Sequence, residues 1–247
     1  MAEQDDQPGG VEPSVTEGSL ARLRTADLRS GELESSLRMV VGATSEIFAA
    51  DGAGVMLLDD QQALHYVGAT SGRAAALEAA QEETGEGPCI DSLMLDEMVH
   101  TEDLANDERW PRLRAEIGDL GVRAILGVPL HLGPTAVGSL NVYHHEARRW
   151  HEGDVRAIQA HGRMVEELLG AAVLAQQRST IVDQLNSALE SRVVIERAIG
   201  VVMHAQDIDA VRAFDVLRRA ARARRIKVAT LAAQVVTSRT LIAEGDG

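Results

Sequence analysis

The sequence predicts an α+β protein: an antiparallel sheet flanked by helices, then a long coiled-coil-forming helix, then a small all-α unit of three helices. Three observations carry this. Between Leu33 and His145 the patterning runs helix, strand, strand, helix, strand, strand, with short connections and a helix after it. That order gives an antiparallel layer with helices packed on it. Ile181, Leu185, Ala188, Arg192, Ile195, Ile199 and Val202 then recur at intervals of four and three, a coiled-coil seam. Aromatic residues make up only 2% of a chain that is 45% hydrophobic, so Ala, Val and Leu must fill the core, which favours helices.

Taken in order, residues 1–30 are rich in Asp, Glu, Gly, Pro and Ser and are expected to be a disordered acidic tail. Leu37, Val40, Val41, Thr44, Ile47 and Phe48 keep helical spacing, and Asp51-Gly52 ends that helix. AGVMLLDD reads as a buried strand and ALHYVGAT as an alternating one, with Asp59 to Gln62 as the hairpin turn. Arg73 to Glu82 is helical, and Thr84 to Pro88 breaks it; Pro88 then suits the first turn of a short helix. MVHTED is a candidate strand, and a helix within Leu104 to Gly121 breaks or begins at Trp110-Pro111. VRAILGVPL and AVGSLNVYHH are strands joined by the Gly-Pro turn HLGPT. A helix from Glu152 either runs on to Met203, a rod on the order of 75 Å at 1.5 Å per residue, or breaks where the stripe slips phase over Gln176 to Thr180. The expected domains are 31–176 and 177–240, with a tail at 241–247.

Charge separates the two halves. From Leu185 onward ten basic residues face seven acidic ones, a net of +3, which leaves −17 for residues 1–184 out of a total of −14. The N-terminal bulk repels polyanions, and only the C-terminal unit suits one. Its basic residues crowd at Arg218, Arg219, Arg222, Arg224, Arg225 and Lys227. Arg218, Arg222 and Arg225 share one helical face, while Phe214, Leu217 and Ala221 form the adjoining apolar stripe. Arginine dominates, and its planar fork suits phosphates and base stacking.

This C-terminal stretch resembles the ANTAR domain, the RNA-binding module of bacterial antitermination regulators. The carrying residues are Ser191-Arg192, Ile195-Glu196, Ala198, Gly200, Met203, Ala213-Phe214, Leu217-Arg218, Lys227, Ala232 and Val235-Val236. Two positions depart from the family pattern: Ile199 replaces a usual Lys, and Arg225 a usual Asn. Leu33 to Leu174 resembles a GAF domain, a small-molecule sensor fold. That resemblance rests on Gly87-Pro88-Cys89, Asp91, Asp103-Leu104, Arg109-Trp110-Pro111, Gly121, Pro129-Leu130 and Gly138 to Asn141. Together they imply a ligand-responsive RNA-binding antitermination regulator acting on paired stem-loops in nascent transcripts. Arg192, Arg218, Arg219, Arg222, Arg225 and Lys227 are the RNA-contact candidates. Pro88, Cys89, Asp91 and Trp110 are the candidates for lining a pocket for an unidentified small molecule. The seam implies a homodimer through the linker helix, except that Arg192 is costly there unless paired, and Glu196 one turn on is its partner.

Other chemistries find little support. Cys89 at a helix start is expected to have a lowered pKa, which keeps open a redox sensor beside its plainer reading as a small buried hydrophobe. The single cysteine excludes an intramolecular disulfide. His131, His144, His145 and His151 lack companions at metal-ligand spacing, and adjacent His144 and His145 point to opposite faces of a strand. No GxSxG, P-loop or HExxH motif is present, so no catalytic residue is assigned. No run nears the ~20 apolar residues of a membrane span, and the acidic N-terminus is no secretory signal, so a cytoplasmic location is expected. The competing function is a sensory protein whose C-terminal bundle binds a protein partner.

Overall fold

In the computed structural model, residues 10–25, 33–59, 64–118, 120–175 and 180–238 are described. The sensor half is built on five antiparallel strands in the order β2-β1-β5-β4-β3. These are β1 (Gly52–Leu58), β2 (Leu64–Ala69), β3 (Val99–Thr101), β4 (Ala124–Leu132) and β5 (Thr135–His144). Period-two alternation sends Val55, Leu57, Leu126, Val128, Leu140 and Val142 to one face. There they meet α2 (Leu33–Ile47) and α6 (Glu152–Leu174) through Leu37, Val40, Val41, Ile158, Val165 and Leu169. Met56 and Leu58 turn the other way, towards α3 (Gly72–Thr84) and α4 (Pro88–Leu95). Short α5 (Pro111–Glu116) covers the β3 side, where Trp110 and Leu113 pack with Ile125 and Tyr143. Only Asp59 of the expected turn Asp59 to Gln62 lies among the described residues.

The N-terminus corrects one expectation. The acidic tail is not wholly without structure: α1 (Pro13–Thr25) lies across α2 and α6. Its composition is polar, but Thr16, Ser19 and Leu23 fall on one face, and Leu23 joins the core at 6% exposure. Ser19 Oγ lies 3.0 Å from His161 Nε2, both residues buried. The Val11 N–H donates to Asp154 Oδ1 at 3.0 Å. Scattered small residues gave no periodic apolar signal, yet they fit a groove already formed by two helices.

After α6 closes at Ala175, α7 (Thr180–Gln206) begins as a separate element; residues 176–179 lie outside the described set. Its four-three stripe is used twice within one chain. Ile181, Val182 and Leu185 join the sensor core, and Ala188 joins the cluster of Met56, Leu58, Cys89 and Ala136. Ile195, Ala198, Ile199 and Val202 instead pack on α8 (Ala210–Arg224) and α9 (Val228–Ser238). The spacing that predicts a coiled coil thus describes an intramolecular seam here, because any partner that buries the stripe satisfies the same periodicity. No helix among the described residues is long and apolar enough to cross a membrane.

Candidate nucleic-acid interface

The C-terminal unit is an α7–α8–α9 bundle whose core is Phe214, Leu217 and Ala221 against Ile195, Ile199, Val202, Leu231 and Val235. Phe214 is core, as expected, at 5% exposure. Ile199 is buried in the same core at 6%, which accounts for an apolar residue where the family carries Lys. Asp209 caps α8, its Oδ1 accepting from the Arg212 N–H at 2.8 Å. Arg225 ends α8 in the left-handed region, φ 54°, ψ 41°. Asn and Gly tolerate that conformation best, so the family's Asn at this position has a backbone reason independent of RNA.

The six RNA-contact candidates separate into two groups. Arg219, Arg222, Arg225 and Lys227 are exposed, and Arg224, which the shared-face argument passed over, is exposed beside them. Arg192 is buried at 8%, its Nε donating to Glu196 Oε1 at 2.8 Å as expected, with Nη1 lacking a hydrogen-bond partner. Arg218 is largely covered, its side chain 12% exposed. Burial lowers its pKa, with nearby Asp215 acting in opposition.

Arg218 is covered by the sensor domain. Its Nη1 donates to the Glu82 carbonyl at 2.5 Å. A Cβ on Gly85, which has φ +66°, would lie 2.0 Å from Arg218 Nη2. Asp215 is the second tie: Oδ2 accepts from Arg112 Nη2 at 3.1 Å and pairs with Arg219 Nε at 3.2 Å. Arg112 in turn binds Glu86 Oε1 at 2.7 Å. Met94 of α4 packs against the bundle core. This docking was not foreseen; the one local signal is Asp215 itself, a carboxylate three and four residues before Arg218 and Arg219 on a basic helix.

The pocket candidates also divide. Pro88 and Cys89 are buried at the start of α4, and Cys89 lies in a closed polar cluster beneath α3. Glu78 Oε2 accepts from Gln81 Nε2 at 3.1 Å and from the Cys89 thiol at 3.3 Å, while Oε1 accepts from Asn141 Nδ2 at 3.2 Å. Gly54 and Gly127 flank Asn141 in register on adjacent strands. A Cβ on either would come within 2.9 Å of Glu78 Oε1 or 2.7 Å of Asn141 Oδ1. Burial raises Glu78 to about 7, against the hydrogen bonds from Cys89 and Asn141. Cys89 corrects a second expectation: burial and adjacent Glu78 push its thiol well up, outweighing the helix start. A thiol so held is the inert form. Asp91 and Trp110 lie elsewhere, at an open cleft beside the bundle, where Trp110 Nε1 donates to Asp91 Oδ2 at 2.9 Å. Among the described residues no group of three or more His, Cys, Asp or Glu side chains is placed to hold a metal ion; His131 instead bridges Asp96 and Glu166 at 2.6 and 2.9 Å.

Comparison with known proteins agrees with this two-part architecture. No curated protein matches the sequence significantly. The fold is similar to the GAF domain of an Acinetobacter phosphoenolpyruvate-protein phosphotransferase, at 15% identity and TM-score 0.52, covering 66% of this chain and 95% of that one. The corresponding Coxiella burnetii domain aligns at 17% identity and TM-score 0.53, with the same coverage. A free methionine-R-sulfoxide reductase from Neisseria meningitidis aligns at 13% identity and TM-score 0.54, covering 70% and 99%. These likenesses concern the fold alone. The GAF domain family matches residues 32–169 and the ANTAR domain family residues 183–236. The chain therefore belongs to the GAF family and carries an ANTAR domain behind its sensor fold.

Proposed function

We propose that this protein is a cytoplasmic, non-catalytic antitermination regulator whose ANTAR domain binds paired RNA stem-loops under control of a small molecule sensed by the GAF half. The observation that carries the reading is the exposed group Arg222, Arg224, Arg225 and Lys227, concentrated in the ANTAR domain of a strongly acidic chain. RNA loops are recognised through unstacked bases and phosphates, and this surface offers guanidinium planes in place of aromatics. Arg218 joins it only when the bundle leaves the sensor domain. Control is a population shift between docked and released bundles, effective when ligand prefers one of them. Paired stem-loops bring two copies together, and the homodimer through the linker helix forms only where α7 gives up its contacts within the chain.

Filter binding of the full chain to a two-hairpin RNA over a salt series tests this. Affinity should fall steeply with salt, and Arg222→Ala should lessen the slope by about one phosphate contact. Light scattering of the same complexes should give two protein copies per RNA. Binding indifferent to salt, or none, would leave the C-terminal bundle as a protein-binding unit.

A further inference from the structure

Between the domains lies a cleft of about 870 Å3, within the size range of small-molecule sites and at the kind of boundary where they gather. The sensor wall carries Asp91, Arg109 and Trp110; the bundle wall carries Asp209, Arg212 and, at its inner edge, Asp215. Each wall presents both signs of charge. Asp91 Oδ2 accepts from the Trp110 indole, and the Arg109 guanidinium sits 4.1 Å over the Trp110 ring, its Nε and Nη2 held by Asp107 and the His100 carbonyl while Nη1 is left to the cleft. Facing them, Asp209 pairs with Arg212 at 3.6 Å. Asp215 is 7% exposed, and its Oδ1 accepts no hydrogen bond, the nearest cation being Arg218 Nη2 at 3.6 Å. The Asp91 carboxyl is raised by burial, opposed by Trp110 and Arg109, and raised further by Asp209 and Glu86. A positive group between Asp91 and Asp209 relieves that crowding. The flanking arginines disfavour a simple cation, and the carboxylates disfavour a simple anion.

We infer that this cleft is an effector site for a small zwitterion of the α-amino-acid class, with its ammonium between Asp91 and Asp209 and its carboxylate on Arg109 Nη1 and Arg212. The inference rests on the sensor reading above and moves the ligand from the buried cluster around Cys89 to the boundary of the GAF fold with the ANTAR domain. It also sets the sign of control. A ligand touching both walls binds the docked arrangement better than the released one, so it holds Arg218 on the Glu82 carbonyl and opposes RNA.

Calorimetric titration of the full chain with the standard α-amino acids tests this, with acetate and methylammonium as single-charge controls. At least one amino acid should bind while both controls fail. Binding should be lost in Asp91→Asn and in Val211→Trp, which fills the cleft from the bundle side, and kept in Asn141→Ser. The bound amino acid should weaken RNA binding about tenfold, within the usual span of allosteric coupling. Thermal melts establish that each variant is folded. The inference is overturned if no amino acid binds, if binding survives both cleft variants or fails only in Asn141→Ser, or if the ligand tightens RNA binding. If ligand-free protein ignores RNA, the RNA reading fails while the titration still decides the site.

Discussion

Gly85→Ala is the sharpest probe of docking, because it perturbs Arg218 without touching the basic surface. Gly85 closes α3 in the left-handed region at φ +66°, where an L-residue costs about 1 kcal/mol. That strain lies within the sensor fold and burdens docked and released bundles equally. The added Cβ has a second effect, since it would lie 2.0 Å from Arg218 Nη2 and 2.9 Å from Asp215 Oδ1. The guanidinium has to move and gives up its bond to the Glu82 carbonyl. A hydrogen bond to a charged group is worth about 1.5–3 kcal/mol, so docking should weaken by about 10–150-fold. When the docked form dominates, apparent RNA affinity is reduced by the released fraction and rises by the same factor in the variant. Filter binding reads the affinity and a thermal melt reads the strain. Gly72→Ala, at a helix start with nothing within 4 Å of its Cβ, serves as control and should change neither. A folded Gly85→Ala protein with a lowered melting temperature and unchanged RNA affinity would refute the link between docking and RNA access.

Two further outcomes follow from single residues. Arg225→Gly relieves the left-handed C-cap of α8 and should stabilise the protein by about 1 kcal/mol, read as an upward shift in melting temperature; an unchanged or lower value would show that Arg225 gains more from its neighbours than its backbone loses. Glu78 has a folded pKa of about 7 against an ordinary 4.5. Its contribution is therefore complete below pH ~4.5 and is lost as pH rises through ~7, a change of about 3 kcal/mol; urea midpoints at pH 5 and 8 should diverge less in Glu78→Gln than in wild type, and parallel curves would contradict the burial argument.

Legibility in the sequence followed how local each signal was. Strands β1, β4 and β5 were readable because burial on both faces leaves continuous apolar runs, and α8 because its apolar stripe faces a basic one. Gly85 and Pro88 marked real boundaries, each through its own backbone conformation. What escaped was relational. Helix α1 has no periodic stripe, and its reason to fold is a groove whose far wall, α6, lies more than a hundred positions away, as the Ser19–His161 pair illustrates. The Arg run reads identically whether solvent, RNA or a carbonyl receives it, and only Asp215, three residues before Arg218, locally separates it from Arg222. Cys89 follows the same logic: the helix start argued for a low pKa, but burial, and then Glu78 from another helix, reversed the sign.

The α7 stripe constrains which part of the molecule moves. Exposing Ile181, Val182 and Leu185, all buried in the sensor core, costs about 1.5–3 kcal/mol per side chain, roughly 5 kcal/mol or more together. Effector coupling is typically about 1–3 kcal/mol, too little to draw the start of α7 out of the sensor domain. The α8 contact is of another kind. It comprises the Arg112–Asp215 pair, the Arg218–Glu82 bond and the packing of α4 on α8 around Met94, a contact that is largely polar where the α7 contact is apolar. On the proposed reading the part that moves is the bundle, and α7 passes from the sensor cluster to the bundle core between Ala188 and Ile195. Arg192 sits in that interval with Nη1 unpartnered, the one buried charge on α7 whose surroundings leave it a reason to rearrange. A seam dimer, by contrast, has to displace both sets of cis contacts. On the proposed reading, ligand governs access to Arg218 through the docking of the bundle, and pairing of two chains is a separate and costlier step.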